Sequence, residues 1–150
     1  MSDNTRPPPV CYKARRMLVR RFSDAAVTEW HKLRPHILMD AGELGARTMS
    51  VNWLEVPAGA SEELRSHEEA EQVYVVVHGS GAMSATGDTQ RLDVGDLVLI
   101  PPATDHAVAN EGADALALVS VQSPPVSADE LYSRRLAAQA ANYDDYEDEQ

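Results

Sequence analysis

His67 and His106 are the residues of this sequence best suited to acid–base or metal chemistry. An imidazole changes its protonation near neutral pH and is the commonest metal ligand in proteins. His67 lies in the stretch LRSHEEAEQVYVVVHGSG, two residues after Arg65 and five before Gln72. Residues two apart on a strand, such as Arg65 and His67, point to one face. A closed sheet can direct these two side chains, Gln72 and His106 into one interior. The spacing therefore predicts convergent polar groups in an otherwise apolar pocket.

Such a pocket can hold a divalent metal, because imidazole nitrogens and an amide oxygen are acceptable ligands for transition metals. The candidate metal ligands are His67, Gln72 and His106, and the candidate ions are Zn, Fe, Mn and Ni. Without a metal, His67 and His106 remain candidate catalytic residues, one acting as general base and the other as general acid. The residue types leave both kinds of site open.

Arg65 and Tyr74 are the candidate substrate-binding residues. A guanidinium grips a carboxylate or a phosphate with two parallel hydrogen bonds and keeps its charge at any relevant pH. Tyr74 follows Gln72 by two residues, so its hydroxyl would line the same pocket. In the competing interpretation, Tyr74 only fills the core, and Arg65 pairs with a glutamate near the mouth of the pocket. Those glutamates are Glu62, Glu63 and Glu68.

The composition indicates an acidic, single-domain protein. The chain has 150 residues and a formal net charge of −11, and 43% of its residues are hydrophobic, enough for one packed core. So acidic a surface repels phosphate backbones and anionic lipids, which argues against nucleic-acid and membrane partners. Cys11 is the single cysteine, which excludes an intramolecular disulfide and a Cys-rich zinc site. No apolar run has the length of a membrane span or a signal peptide, so we expect a cytoplasmic location.

Strands and turns dominate the sequence between residues 48 and 123. Short apolar and β-branched runs alternate there with Gly, Pro and Asp turns about every 8 to 12 residues, as in sandwiches and barrels. The run VYVVV is typical of a central strand buried on both faces. Upstream, RMLVRRF and HILMD predict strands, and SDAAVTEWHKL predicts a short N-terminal helix capped by Ser23. We therefore predict an all-β barrel domain over residues 16–125.

Both ends of the sequence are predicted to lie outside this barrel. Residues 1–15 contain three consecutive prolines and predict a flexible arm. Residues 126–142 predict a C-terminal helix, which Ser127 and Glu130 would begin as a capping box. Residues 143–150 carry five carboxylates and predict a disordered acidic tail.

The spacing of the polar residues resembles the two sequence motifs of the cupins, a family of small jelly-roll β-barrels. The first motif, G-x5-H-x-H-x(3,4)-E-x6-G, resembles the stretch from Gly59 to Gly79. The second, G-x5-P-x-G-x2-H-x3-N, resembles Gly95 to Asn110, and fifteen residues separate the two, as in compact microbial members. The resemblance covers about residues 49–123. It implies a cupin-type all-β jelly-roll barrel, and it implies a homodimer.

In the cupins, three histidines and a glutamate hold a divalent metal inside the barrel. His67 and His106 match two of those histidines, whereas Arg65 stands in place of the third and Gln72 in place of the glutamate. Two like charges 4 Å apart repel by ~4 kcal/mol at an effective dielectric constant of about 20. The metal site is therefore weakened unless Arg65 points away or an anion shares the pocket.

Two further positions bear on this resemblance. Glu71 fits the shorter spacing of the first motif, but seven residues then precede Gly79 instead of six. Because a one-residue slip reverses every side chain of a strand, we predict that Gln72 faces inward and Glu71 outward, unless a bulge intervenes. In the second motif Ala103 replaces the middle glycine, and Asn110 is expected to hold a turn.

Three hypotheses for function follow, in order of preference. The first is an enzyme of the lyase, isomerase or cyclase class, acting on a small anionic metabolite that Arg65 orients. In the second, the chain is a non-catalytic, metal-free ligand-binding module, which the replacement of two metal ligands favours. A dioxygenase comes third, because the carboxylate of the usual facial triad is missing.

Overall fold

Nine β-strands and a few short helical turns make up the part of the chain that the structure describes. The computed structural model describes residues 17–133. The strands are β1 (Ala26–Val27), β2 (Arg34–Met39), β3 (Ser50–Val56), β4 (Glu71–His78), β5 (Gly81–Ala85), β6 (Asp88–Leu92), β7 (Leu97–Ile100), β8 (His106–Ala109) and β9 (Leu116–Ser123). Short 3-10 helices span Phe22–Asp24 and Glu43–Gly45, and a π-helical turn spans Asp129–Ser133.

The strands form two sheets that enclose one hydrophobic core. Six strands form the larger sheet in the order β1-β2-β3-β9-β4-β7, and three form the smaller in the order β6-β5-β8. Buried residues alternate with half-buried ones along β3, because successive side chains of a strand point to opposite faces. Leu54 and Val76 of the larger sheet share a core cluster with Met83 and Val108 of the smaller one. The predicted all-β jelly-roll fold is confirmed.

The segments 59–67 and 103–110 run antiparallel and hold the two sequence motifs together. Arg65 and His106 exchange backbone hydrogen bonds, with N–O distances of 3.1 and 2.9 Å. The N–H of Glu62 also donates to a carbonyl of β8 at 2.8 Å. This pairing continues the smaller sheet beyond β8 and places Arg65 directly opposite His106.

The inner face of the larger sheet has an apolar end and a polar end. Leu54, Leu118 and Val76 form one cross-strand row on β3, β9 and β4, and all three are buried. The next two rows are equally buried but polar, and their members are Asn52, Ser120, Tyr74, Ser50, Gln122 and Gln72. The candidate functional residues therefore project from the polar end of the barrel.

A second hydrophobic cluster, the covering cluster, lies over this polar end. Its buried members are Trp30, Ala70, Val126, Leu131 and Tyr132. The N–H of Val126 donates to Oγ of Ser50 at 3.1 Å, and the ring centroids of Trp30 and Tyr132 lie 5.5 Å apart. The segments before β2 and after β9 therefore meet over the polar end.

The prediction of a short N-terminal helix over residues 23–33 is wrong. The segment opens with a single 3-10 turn, and Ala26–Val27 then pairs with β2. Trp30 and Leu33 exchange backbone hydrogen bonds of 3.0 and 2.9 Å, and the two residues between them have φ angles of 51° and 68°. This tight turn buries both Trp30 and Leu33, so tertiary burial outweighs the helix propensity of the segment.

Two strand predictions also need correction. Residues 17–21, within the predicted strand RMLVRRF, contain no strand. VYVVV does form part of β4, but it is buried on one face only, because Val75 is half-buried and Val77 is exposed. The smaller sheet packs on the inner face of the larger one, which leaves the outward side chains of β4 partly accessible.

Several predictions fall partly or wholly beyond the described residues. The arm over residues 1–15, with Cys11, and the tail over residues 143–150 lie outside them. Of the helix predicted over residues 126–142, the structure describes the part up to residue 133, where Ser127 Oγ accepts from the N–H of Glu130 at 3.1 Å. Within residues 17–133, no helix is both long enough and apolar enough to cross a membrane.

Candidate functional site

The hydroxyl of Tyr74 lies at the centre of a buried polar cluster. Its Oη lies 3.2 Å from Nε2 of His106, 3.4 Å from Oε1 of Gln72 and 3.4 Å from Nη2 of Arg65. All four side chains are buried. The structure thus brings together four of the five residues that the sequence singled out, and places Tyr74 between the other three.

The tautomer of His106 follows from its two neighbours. Its Nδ1 lies 3.0 Å from the carbonyl oxygen of Thr104, which can only accept, so Nδ1 carries the hydrogen. Burial lowers the pKa of His106, and the Thr104 carbonyl offsets only part of this effect. The ring is therefore neutral, and the lone pair of Nε2 faces the Tyr74 hydroxyl.

Arg65 already has a carboxylate partner inside the barrel. Its Nη2 lies 2.9 Å from Oε2 of Glu62, a side chain with no exposed surface. Burial lowers the pKa of Arg65, but the Glu62 carboxylate and the Tyr74 hydroxyl raise it above its ordinary value. The guanidinium also lies 4.8 Å from the ring centroid of Trp30, and its Nη1 lies 3.5 Å from the carbonyl oxygen of Leu131. This geometry fits the competing interpretation, in which Arg65 pairs with a nearby glutamate instead of a substrate. The pair is buried, whereas that interpretation expected it near the mouth of the pocket.

The hydroxyl of Tyr74 cannot satisfy all its neighbours. Burial and the Glu62 carboxylate raise the pKa of Tyr74 to about 12, against the lowering effect of Arg65, so the phenol keeps its proton. One proton can be donated to His106 or to Gln72, but not fully to both at once. The cluster therefore holds more acceptors than the Tyr74 hydroxyl can serve.

Gln72 points into the barrel and Glu71 points away from it. Gln72 is 1% exposed and Glu71 is exposed, as the strand register predicted. Nε2 of Gln72 has no hydrogen-bond partner among the described residues, and neither does Oδ1 of the equally buried Asn52. Leaving a buried polar group unpaired costs about 1–3 kcal/mol, so a ligand group that pairs with either atom would be favoured.

His67 lies at the edge of the cluster. Its ring centroid is 6.1 Å from that of His106, and its side chain is half-buried. His67 lines an open cleft of about 410 Å³, together with Glu68, Glu69 and Glu130 among others. Within the predicted set, His67 is therefore the residue that a molecule in this cleft meets first.

Sequence reasoning missed most of the residues around the cluster. Asn52, Ser120 and Gln122 are polar residues at inward positions, and strict alternation along β3 and β9 was the signal that could have found them. Glu62 was weighed only as one of three glutamates, and its spacing could not single it out, because Glu68 is equally far from Arg65 in the sequence. Trp30 lies far from the motifs in sequence, and no local pattern indicates its contact with Arg65.

A divalent metal fits this cluster poorly. Zinc ligands lie about 2.0–2.2 Å from the ion, whereas the space between His106 and Gln72 holds the Tyr74 hydroxyl. The Arg65 guanidinium, 3.4 Å from that hydroxyl, would repel a cation at the same place. Among residues 17–133, no group of three or more His, Cys, Asp or Glu side chains converges so as to hold a metal ion.

The fold and the cluster define a small jelly-roll barrel with polar groups gathered at one end of its interior. Residues 52–122 match the family model of the cupin domain. This match covers a little under half of the chain and agrees with the resemblance of the two motifs to the cupins.

Three further proteins are similar to this chain in sequence or in structure. An uncharacterised protein of Methanocaldococcus jannaschii is 28% identical over 110 residues, which cover 67% of this chain and 87% of that protein. A predicted oxalate decarboxylase of Thermotoga maritima superposes with a TM-score of 0.65 at 18% identity, over 71% of this chain and 98% of that one. A cupin 2 conserved barrel domain protein of Salinispora arenicola gives a TM-score of 0.62 at 22% identity, over 71% and 88% of the two chains. At these identities the structural likeness shows the fold alone.

Proposed function

We propose that this cupin binds a small, uncharged, hydroxyl-bearing molecule at the polar cluster and does so without a divalent metal. The observation that carries the proposal is the position of the Tyr74 hydroxyl. It lies within hydrogen-bond distance of Arg65, Gln72 and His106 at once. These three residues stand at positions where the cupin motifs carry metal ligands, and the Tyr74 hydroxyl lies between them. This proposal corresponds to the metal-free binding module, the second of the three hypotheses drawn from the sequence.

The charges around the site favour an uncharged ligand. The expectation of an anionic substrate rested on a guanidinium without a partner, and Glu62 supplies that partner at 2.9 Å. The ion pair has no net charge, and the cleft beside His67 is lined by glutamates. A carboxylate entering this cleft would meet repulsion and find no free guanidinium to grip.

The hydrogen-bonding groups favour a ligand that donates. Nε2 of His106 and Oε1 of Gln72 compete for the single proton of Tyr74. A ligand hydroxyl would donate to whichever of these two acceptors does not receive the Tyr74 proton. The oxygen of the same hydroxyl could accept a hydrogen bond from Nε2 of Gln72. Such pairing favours polyols and hydroxy-ketones over simple hydrocarbons.

An enzyme of the lyase, isomerase or cyclase class is the second candidate, and the tautomer of His106 favours it. A neutral imidazole with an unprotonated Nε2, here facing the Tyr74 hydroxyl, is the form that a general base requires, and His67 lies close enough to act on the same molecule. In this candidate function His67 and His106 move protons, while Arg65 and Tyr74 position the substrate. A metal held by His67, Gln72 and His106, or a dioxygenase activity, requires the Tyr74 hydroxyl to leave its place.

A thermal-shift screen tests the proposal with matched pairs of uncharged and carboxylated molecules. Xylose with xylonate, and erythritol with erythronate, are measured in EDTA and again with added zinc or manganese. We expect the uncharged member to raise the melting temperature in EDTA, and the Tyr74→Phe variant to lose this response. His78→Gln, at an exposed histidine, is the matched control and should keep this response.

The outcomes separate the candidates. Stabilisation that appears only with metal, or only with the carboxylates, contradicts the metal-free proposal. Product signals in the proton NMR spectrum of a stabilising molecule, absent with His106→Gln, would favour the enzyme. The homodimer is a further proposal, which light scattering after size-exclusion chromatography tests.

A further inference from the structure

A second recess, which shares no lining residue with the cleft beside His67, has a different character. Its volume is about 300 Å³, and it lies between β7 and the β5–β6 hairpin. Its inner wall is apolar, and the side chains there are Met83, Ala85, Val98 and Ile100. Asp88 and Gln90 are exposed at its rim.

The recess abuts the polar cluster through the register of the strands. Ile100 is the direct cross-strand partner of Gln72, and Ala85 is the direct cross-strand partner of His106. Gln72 and Ile100 are both buried, so they share the inner face of the larger sheet. The apolar wall of the recess therefore lies beside Gln72, whose Nε2 has no partner among the described residues.

We infer that this recess is a second binding site, for an uncharged molecule with an apolar body and one carbonyl group. The apolar wall takes the body, because removing apolar surface from water is favourable in proportion to its area. The buried Nε2 of Gln72 supplies a donor that only an acceptor can satisfy. A carboxylate is disfavoured, since Asp88 stands at the rim and the recess offers no cation to balance the charge.

This site goes beyond the proposed function, because it lies on another wall of the barrel and takes apolar rather than hydroxylated molecules. Gln72 belongs to the polar cluster and adjoins the recess wall at Ile100, so occupancy of one site bears on the hydrogen bonds of the other. The cleft contains His67, whereas the recess does not. A substitution at His67 therefore separates the two.

The isoleucines of this chain allow a direct test by methyl NMR. The sequence contains two, Ile37 and Ile100. Ile100 lines the recess, while Ile37 packs against the covering cluster and serves as an internal control. The protein is labelled with ¹³C at the isoleucine δ1 methyls and titrated in EDTA with acetophenone, toluene and benzoate.

We expect acetophenone to shift the Ile100 signal and leave Ile37 unchanged. Toluene, which lacks the carbonyl, should bind about fivefold more weakly, the value of one net hydrogen bond. Benzoate, with the same ring and a charge, should bind more weakly still. Gln72→Met should remove the preference for acetophenone over toluene, because it replaces the donor with a side chain of similar size.

Two variants close the recess in different ways. Ala85→Leu fills it from the wall, and Gln90→Trp blocks it at an exposed rim position that leaves the core intact. Either should abolish the Ile100 shift. Should Ala85→Leu fail to fold, Gln90→Trp still decides the question.

The contradicting results are equally specific. No Ile100 shift up to the solubility limit of acetophenone, equal shifts at Ile37, or equal binding of benzoate would each overturn the inference. His67→Ala should leave the Ile100 titration unchanged. If a metal proves to occupy the polar cluster, the proposed function fails, yet the titration in EDTA still reports on the recess.

Discussion

Arg65 and Glu62 form an ion pair of 2.9 Å inside the barrel, with side chains that are 7% and 0% exposed. Arg65 stands where the family carries a metal-binding histidine, so a cation of the protein itself lies close to the family's metal position. Glu62 Oε1 also accepts from the N–H of Val108 at 3.3 Å. The pair thus ties the first motif to β8 and leaves the interior without net charge.

Glu62→Gln should destabilise the protein by about 3–5 kcal/mol, because it leaves a buried guanidinium without its counter-charge. Urea unfolding followed by circular dichroism measures this loss. The double variant Glu62→Gln with Arg65→Met should recover most of it, since both charges are then absent.

Arg91→Gln is the matched control for that experiment. Arg91 pairs with Asp93 at 3.3 Å, but both side chains are largely exposed. A surface substitution of this kind changes stability by less than about 0.5 kcal/mol. Equal effects at Glu62 and Arg91 would mean that the Arg65–Glu62 pair is solvated.

The stability of the protein should fall as the pH drops below about 6.5, the ordinary pKa of histidine. Burial lowers the pKa of His106, so the unfolded chain takes up a proton there at a pH where the folded chain does not. The contribution of His106 to the free energy of unfolding is therefore fully present above about pH 6.5. It decreases as the pH falls toward the lowered pKa, by at most about 1.4 kcal/mol per pH unit. Urea midpoints between pH 8 and pH 5 measure the decline.

His106→Gln should flatten this pH dependence, whatever its effect on stability at pH 8. His78→Gln removes a histidine at the exposed end of β4 and serves as the matched control for the substitution. The same slope in wild type and His106→Gln would place the responsible group elsewhere.

Ala103→Gly should stabilise the protein by up to about 1 kcal/mol. Ala103 has a φ of 57°, a left-handed conformation that costs a residue with a side chain about 1–2 kcal/mol, partly offset by the greater chain entropy of glycine. Ala58→Gly, at an exposed turn residue outside the left-handed region, should instead destabilise slightly. A rise in melting temperature for Ala103→Gly alone is the expected result.

Local patterns predicted the barrel and the direction of its side chains. Gln72 faces inward because alternate residues of a strand share one face, and Tyr74 and Val76 place that face in the core. Asn110 holds a turn as expected, since its Nδ2 donates to the carbonyl oxygens of Val56 and Asp114 at 2.9 and 2.7 Å. These features depend on residues close in sequence or on the two motifs.

Long-range contacts account for what the sequence did not reveal. SDAAVTEWHKL has a helix-like pattern, yet Trp30 and Leu33 are buried by a tight turn instead. The environment of Arg65 depends on Trp30 and Leu131, which come from opposite ends of the described chain. The partner of Arg65, and hence the charge of the site, followed only from the folded structure.

Restoring the family's ligand set should create a metal site. The triple variant Arg65→His with Gln72→Glu and Tyr74→Phe removes the guanidinium and the hydroxyl, and it supplies the missing imidazole and carboxylate, which are good ligands for transition metals. We expect it to bind zinc or manganese in a one-to-one ratio after dialysis, measured by plasma mass spectrometry. Adding His106→Ala to the triple variant should abolish the binding.

The metal content of untagged wild-type protein tests the central claim most directly. The protein is incubated with zinc, manganese, iron or nickel, dialysed, and measured by plasma mass spectrometry beside His106→Ala. The hydroxyl of Tyr74 and the Arg65 cation should keep the wild type far below one ion per chain, and His106→Ala should not differ. One ion per wild-type chain, lost in His106→Ala, would contradict the account.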